Sequence, residues 1–346
     1  MTSREEVLKA LSQVLDPELK KDLVSLGMVD EITIDGENVC IKILLTTPAC
    51  PLKNQIEREV RDTVLRETDL KTVEVIMGAR VNNPNEINLG GNKFKFVIAI
   101  GSGKGGVGKS TVSVAVASAL AQQGAKVGLL DADIYGPNIP RMLGVDNLPM
   151  TPESEKLNLP VANGIKILSI GFMVQPGQPL LWRGPMLHTA IKQFLSDFNW
   201  GELDYLIVDM PPGTGDVQLS LSQLMQVSGA VVVTTPQQVS VDDAYRAISM
   251  FQKMNIPILG IIENMSYLVL PDEGKYYLFG EKGGERLAKN LNVPFLGGIP
   301  FDKEVVTNGD VGTPIRFTDT NSQTTKAFYE IAGKIAAQAS QVAHHQ

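Results

Sequence analysis

The residues with the clearest chemical potential form a loop between an apolar run, Phe94 to Ile100, and an alanine- and valine-rich helical pattern, Thr111 to Gln123. Gly103, Lys104, Gly105, Gly106, Val107, Gly108, Lys109 and Ser110 satisfy the spacing G-x-x-x-x-G-K-S in full, and Thr111 follows. Glycines let backbone amides converge on phosphate oxygens, and the helix start that follows favours negative charge. Lys109 is expected to reach the outer phosphates of a nucleotide, and Ser110 to offer magnesium a hydroxyl.

Carboxylates recur at the ends of the apolar runs that follow. Val127 to Leu130 delivers Asp131 and Asp133, and Tyr205 to Val208 delivers Asp209. An open α/β sheet binds its ligands at the carboxyl ends of parallel strands, so these positions are consistent with nucleotide chemistry. Asp131 is expected to hold magnesium through water, Asp133 to orient the attacking water, and Asp209 to act on the magnesium shell. The Gly213 amide in Asp209-Met210-Pro211-Pro212-Gly213 could sense the terminal phosphate. Tyr135 to Pro140 could form a switch loop. Asn264, after Ile258 to Ile262, carries both a donor and an acceptor for an adenine edge. Pro300-Phe301-Asp302 could border the base.

These residues need a scaffold, and the pattern supplies one. Strand and helix signals alternate from residue 94 to 340, which predicts an α/β domain with a mostly parallel sheet. Ser240 with Asp243 reads as a helix cap, and Phe328, Ile331 and Ile335 mark a final packed helix. Ahead of it, residues 1–81 read as a small α+β domain in the order α-β-β-α-β. Ser3 and Glu6 form a capping box, Leu23 to Ile34 is an apolar segment, and Asp35-Gly36 turns a hairpin. Residues 82–93 read as a polar linker and 341–346 as a polar tail.

Composition narrows the classes of function. The chain has 346 residues, 43% hydrophobic and 20% charged, with a formal net charge of -7, which gives no general attraction to nucleic acid or an anionic membrane. No apolar stretch reaches spanning length and Met1 opens onto a charged helix, so the expectation is a cytoplasmic protein without stable membrane attachment. Cys40 and Cys50 are the two cysteines, too few for a disulfide framework or for four cluster thiolates in one chain. Cys50, beside Pro51 at a helix start, could have its thiolate stabilised for metal binding or thiol exchange, whereas Cys40 reads as packing. His188 is expected to pack or face solvent, and Arg183 to bind phosphate or form a salt bridge.

GKGGVGKST resembles the deviant Walker A loop of the MinD, ArsA and nitrogenase iron protein class. Lys104 alone could be a solvated charge; the resemblance implies that it reaches the partner subunit's nucleotide in a homodimer. DPEL, LVSLGMV and TTPACPLK resemble the MIP18-like domain of iron-sulfur assembly proteins, which draws attention to Cys50. GKGGVGKST, DADIYGPNIP, WRGPM, DMPPGTGD and ENMSY, in this order, resemble the Mrp/NBP35/ApbC family of iron-sulfur cluster carrier ATPases. Together these likenesses cover nearly the whole chain. They imply a slow, magnesium-dependent ATPase that handles a transient iron-sulfur cluster with assembly proteins and apoprotein clients.

One departure bears on that expectation. The family usually places CxxC after ENMSY, and here Leu270 and Glu273 occupy those positions. Leu270 cannot supply a thiolate. Three functions follow: an ATP-hydrolysing carrier that uses Cys50 with other thiols, an ATP-dependent adaptor that holds no cluster, and a positioning ATPase of the MinD type.

Overall fold

The structure is a computed structural model that describes residues 2–17, 19–145, 157–173, 184–271, 274–313, 319 and 321–345. The chain divides into two compact units, Met1–Asn82 with Ala336–Gln346, and Asn83–Ile335.

In the first unit α1 (Arg4–Leu11) begins at the expected capping box, with Ser3 Oγ accepting from Glu6 N and Glu6 Oε2 accepting from Ser3 N. β1 (Val29–Asp35) and β2 (Asn38–Leu45) form an antiparallel hairpin around Gly36, whose φ of 60° suits the tight turn. α2 (Lys53–Glu67) then carries the chain to β3 (Thr72–Ala79), which pairs parallel with β2. Alternation decides which face of the sheet is covered. Val39, Ile41, Ile43 and Leu45 pack with Val7, Leu11, Ile56, Val60 and Val64 in one core. The apolar segment from Leu23 becomes strand only at Val29. Before that, Asp22 Oδ1 accepts from Ser25 N and Gly27 takes a left-handed φ of 65°, so local turns win over extension.

The second unit opens with β4 (Ile87–Leu89), antiparallel to β5 (Asn92–Ser102). Most of the expected linker is therefore part of this domain, because its polar residues find partners inside the protein. Asn83 Nδ2 donates to Lys95 O at 2.6 Å. Asn92, 1% exposed, donates from Nδ2 to Leu195 O and Phe198 O at 2.8 Å each, and its Oδ1 accepts from Trp200 N and Gly201 N at 3.1 Å each.

The chain continues through α3 (Lys109–Gln122), β6 (Val127–Asp131), α4 (Ile139–Met142), β7 (Val161–Ala162), β8 (Ile165–Ser169) and α5 (Gly184–Ser196). Then come β9 (Glu202–Asp209), α6 (Asp216–Leu224), β10 (Gly229–Thr234), α7 (Gln238–Lys253) and β11 (Ile258–Glu263). β12 (Leu268–Val269), β13 (Lys275–Tyr276), α8 (Gly283–Leu291), β14 (Phe295–Gly298), α9 (Lys303–Asp310) and α10 (Gln323–His345) complete it.

Among the described residues the large sheet has nine strands, ordered β14-β11-β10-β5-β9-β6-β8-β7, with β4 on β5. From β14 to β8 every pairing is parallel. β6 and β10 are buried along their whole length, as parallel strands covered on both faces require. After β5 the chain builds β6, β8 and β9 on one side, then β10, β11 and β14 on the other. The order reverses at the carboxyl end of β5, where the glycine loop emerges.

Two helix readings change. α7 starts at Gln238 with Gln237 at its N-cap, so Ser240 lies inside the helix, its hydroxyl 2.7 Å from Thr235 Oγ1. α10 extends through most of the expected tail, and residues from Ala336 onward group with the first unit. Trp182 and Arg183, and the side chain of His188, lie outside the described residues. Among the described residues no helix is long and apolar enough to cross a membrane.

Candidate nucleotide site

The loop from Gly103 to Gly108 joins β5 to α3 and lines a cavity of about 640 Å³. Two glycines are dictated by close approach. A Cβ on Gly103 would lie 2.1 Å from the Asp243 carbonyl oxygen, and one on Gly108, at φ 82°, would lie 2.2 Å from Asn264 Nδ2. Lys104, Gly105, Gly106, Ser110 and Thr111 also face the cavity. Lys104 is half-buried and makes no ion pair among the described residues, while its carbonyl accepts from Ser102 Oγ at 2.9 Å.

The first turn of α3 brings the loop's side chains onto the end of β9. Lys109 Nζ sits 2.7 Å from Asp209 Oδ2, 3.3 Å from Asp133 Oδ2 and 3.3 Å from Ser110 Oγ. Ser110 Oγ donates to Asp209 Oδ2 at 2.6 Å, and Ser113 Oγ lies 2.7 Å from Asp209 Oδ1. Asp209 is fully buried and Lys109 is 6% exposed, so this charge pair sits away from bulk water. Burial raises the Asp133 carboxyl above its ordinary range, against the pull of the Lys109 charge.

Asp131 points elsewhere. Its oxygens accept from Ser169 Oγ at 2.9 Å, Asp133 N at 3.2 Å and Ile139 N at 3.3 Å, and it does not line the cavity. Burial, reinforced by the nearby Asp209 charge, pushes its pKa up to about 8. These bonds tie β6 to β8 and to the start of α4. The Gly213 amide is likewise committed, donating to Ser102 O at 2.9 Å.

Asn264 directly follows β11, where its backbone N donates to Thr234 O at 2.8 Å and its Nδ2 to Val107 O at 2.9 Å. A carbonyl can only accept, so that bond fixes which way the amide faces. Asn264 Oδ1 takes no partner among the described residues. Its neighbour Glu263, 1% exposed, accepts from Gly284 N at 2.7 Å and from Ser266 Oγ. Pro300, Phe301, Asp302, Val305 and Val306 complete that end of the cavity.

The arrangement suits a nucleotide. Its donor set toward a cation is all oxygen, Ser110 Oγ and the Asp209 carboxylate, as a hard divalent ion such as magnesium prefers. Lys109 and the helix start present the positive field that phosphates need. Ser113 and Ser169 were not singled out by pattern. Ser113 stands one helical turn after Lys109, which is the signal that could have found it. Ser169 lies 38 residues from Asp131 with no local signal.

Cys50 belongs to the first unit, half-buried on that unit's core just before α2, and Cys40 lies on β2 opposite Thr33 and Glu74. Neither is in a disulfide. Leu270 follows β12 in a two-stranded hairpin, its N–H donating to Gly274 O at 2.8 Å, and Glu273 lies outside the described residues.

Comparison with known proteins decides the family. Residues 93–336 match the model of the NUBPL iron-transfer P-loop NTPases, and residues 4–75 match that of an iron-sulfur cluster assembly protein domain. The chain belongs to the NUBPL iron-transfer P-loop NTPase family. Similar family members include the iron-sulfur cluster carrier protein of Deinococcus radiodurans, 49% identical over 336 residues, spanning 96% of this chain and 95% of that protein. The carrier protein of Synechocystis is 49% identical over 353 residues, spanning 99% of each. Among solved structures, the nucleotide-binding protein of Archaeoglobus fulgidus in complex with ADP is 39% identical, with a TM-score of 0.56 over 64% of this chain and 87% of that one. The expected fold class, a P-loop NTPase with a small assembly-type domain ahead of it, agrees with all of these.

Proposed function

We propose that this NTPase hydrolyses ATP and uses the cycle to carry or help assemble iron-sulfur clusters for apoprotein clients. The observation that supports this best is the buried cluster of Lys109, Ser110 and Asp209 in a chain whose two parts match an iron-transfer NTPase family and an iron-sulfur cluster assembly domain. The triphosphate draws Lys109 Nζ away from Asp209 and Asp133 toward the outer phosphates, over the amides of residues 103–111. Ser110 and Asp209 would hold magnesium, which when bound neutralises phosphate charge. Asp133, released from Lys109, orients the attacking water. Asp131 keeps the following loop in register. Asn264 reads the base: with Nδ2 on Val107, its Oδ1 faces a donor such as the adenine amino group better than the guanine carbonyl.

Lys104, unpaired by any carboxylate among the described residues, completes the partner's site in a homodimer. Cys50 contributes a thiolate to the transient cluster with thiols from the second subunit or a client. A chain with two cysteines and no disulfide fits a reducing compartment, and we place this work in the cytoplasm. Leu270 favours a second reading, an ATP-driven adaptor that brings assembly proteins and clients together without holding a cluster.

The test is phosphate release from ATP by the intact protein and by Lys109→Ala. Magnesium-dependent turnover that falls at least about a hundredfold in the variant is expected, given that Lys109 contributes directly to transition-state charge. Equal turnover in both would contradict the assignment.

A further inference from the structure

We infer that Ser113 is a positioning residue for the magnesium-side carboxylate, holding the plane of Asp209 while Lys109 and Ser110 change partners. The inference rests on the reading of Asp209 given above.

α3 is apolar nearly all round, and carries two serines with no exposed surface, Ser113 and Ser118. They are placed very differently. Ser118 Oγ is buried without a hydrogen-bond partner among the described residues, whereas Ser113 Oγ lies 2.7 Å from Asp209 Oδ1 and 3.0 Å from Lys109 O. A serine has one hydroxyl hydrogen, and the shorter, charge-assisted contact to the carboxylate takes it.

Asp209 therefore divides its two oxygens between two jobs. Oδ2 is shared by Lys109 and Ser110, the side chains that turn toward nucleotide and metal, while Oδ1 is held from below by Ser113. Once Lys109 leaves for the phosphates and Ser110 for the cation, Ser113 is the remaining side-chain hydrogen bond to Asp209 among the described residues. A carboxylate torsion is broad and roughly two-fold, so without that bond the group could turn its oxygens away from the metal. Removing the hydroxyl also strands Oδ1 where no water reaches.

The test follows ADP binding across a magnesium titration, by fluorescent ADP and by the thermal shift that ADP confers, in Ser113→Ala, Ser113→Thr, Ser118→Ala and Asp209→Asn. Ser113→Ala is expected to need about tenfold more magnesium for half of the shift, the equivalent of one charge-assisted hydrogen bond. Its ADP affinity in EDTA stays at the parental value. Ser118→Ala matches the parent, and Ser113→Thr, which keeps the hydroxyl, returns most of the way. Should Ser113→Ala fail to fold, Ser113→Cys, a weaker donor of similar shape, is read the same way.

A magnesium midpoint for Ser113→Ala equal to that of Ser118→Ala would overturn the inference. So would an ADP affinity that falls by the same factor with and without magnesium, because that marks a purely structural role. An unmoved Asp209→Asn would sink the magnesium reading of Asp209 and the inference with it. A shifted Asp209→Asn beside an unmoved Ser113→Ala would sink the inference alone.

Discussion

Replacing Lys109 with methionine should make the nucleotide-free protein less stable, and more so in alkaline than in acidic buffer. The lysine ammonium lies 2.7 Å from Asp209, whose side chain has no exposed surface, and 3.3 Å from Asp133. Methionine fills similar volume but leaves the buried carboxylates without their cation. Breaking a buried pair from one side costs about 3–5 kcal/mol. For a unit of this size that corresponds to a fall of roughly 6–10 °C in the melting temperature. Asp131 is already pushed up to about 8 by burial and by the Asp209 charge, Asp133 is raised by burial, and the Lys109 charge pulls both down. Its loss raises both further. A carboxyl whose folded pKa exceeds its unfolded value of about 3.9 carries no penalty below that value and an increasing one as the pH climbs toward the folded pKa. The deficit of the variant should therefore be smallest near pH 4, where these carboxyls are protonated in both proteins, and widen as the pH rises through about 8, where Asp131 ionises in the parent but not in the variant. Thermal melts of parent and variant without nucleotide, run across that range, measure it. A variant as stable as the parent at pH 8, or a deficit that grows on acidification, would refute the electrostatic account of the site.

Other substitutions probe separate parts of the fold and site. Gly108→Ala forces a left-handed backbone on alanine and pushes Asn264 off Val107, so ADP affinity should drop at least about tenfold, by roughly 1 kcal/mol for each effect. Isothermal titration would detect it. Asn92→Ala strands two buried amides and two carbonyls and should lower stability by about 3 kcal/mol or more, read as a lower urea midpoint with an unchanged slope. Asn264→Ala should narrow the preference for ATP over GTP, measured by competition against fluorescent ADP. Lys104→Ala should abolish ATP-driven dimerisation while leaving monomer ADP binding intact, as followed by light scattering.

Local chemistry was legible in the sequence wherever a few neighbouring residues decide the outcome. The Ser3 and Glu6 cap and the Gly36 hairpin depend on contacts within a handful of residues, and the loop from Gly103 to Ser110 is marked by its own spacing even though Gly103 and Gly108 also meet Asp243 and Asn264. The strand-end positions of Asp131, Asp133 and Asp209 were legible too, because buried parallel strands read as unbroken apolar runs. The hydrogen-bond partners of Asp131 were not, since Ser169 and the start of α4 meet it only after β6 and β8 pair. Residues 82–93 looked like a linker for the same reason. Asn92 is polar by composition, yet its partners lie more than a hundred residues away in the chain. Ser240 looked like a cap because the signal is a short pattern, whereas the helix start was settled one turn earlier around Thr235 and Gln237.

The reading of Cys50 joins the nucleotide cycle to the proposed cargo, so it sets the central test. Anaerobic reconstitution with iron and sulfide should be run on the unmodified protein, Cys50→Ser and Cys40→Ser, with bound iron, acid-labile sulfide and absorption spectra measured for each. A carrier predicts a stoichiometric cluster in the parent and in Cys40→Ser that is lost in Cys50→Ser. A folded, nucleotide-binding parent that takes up no cluster would contradict the carrier account and leave the adaptor.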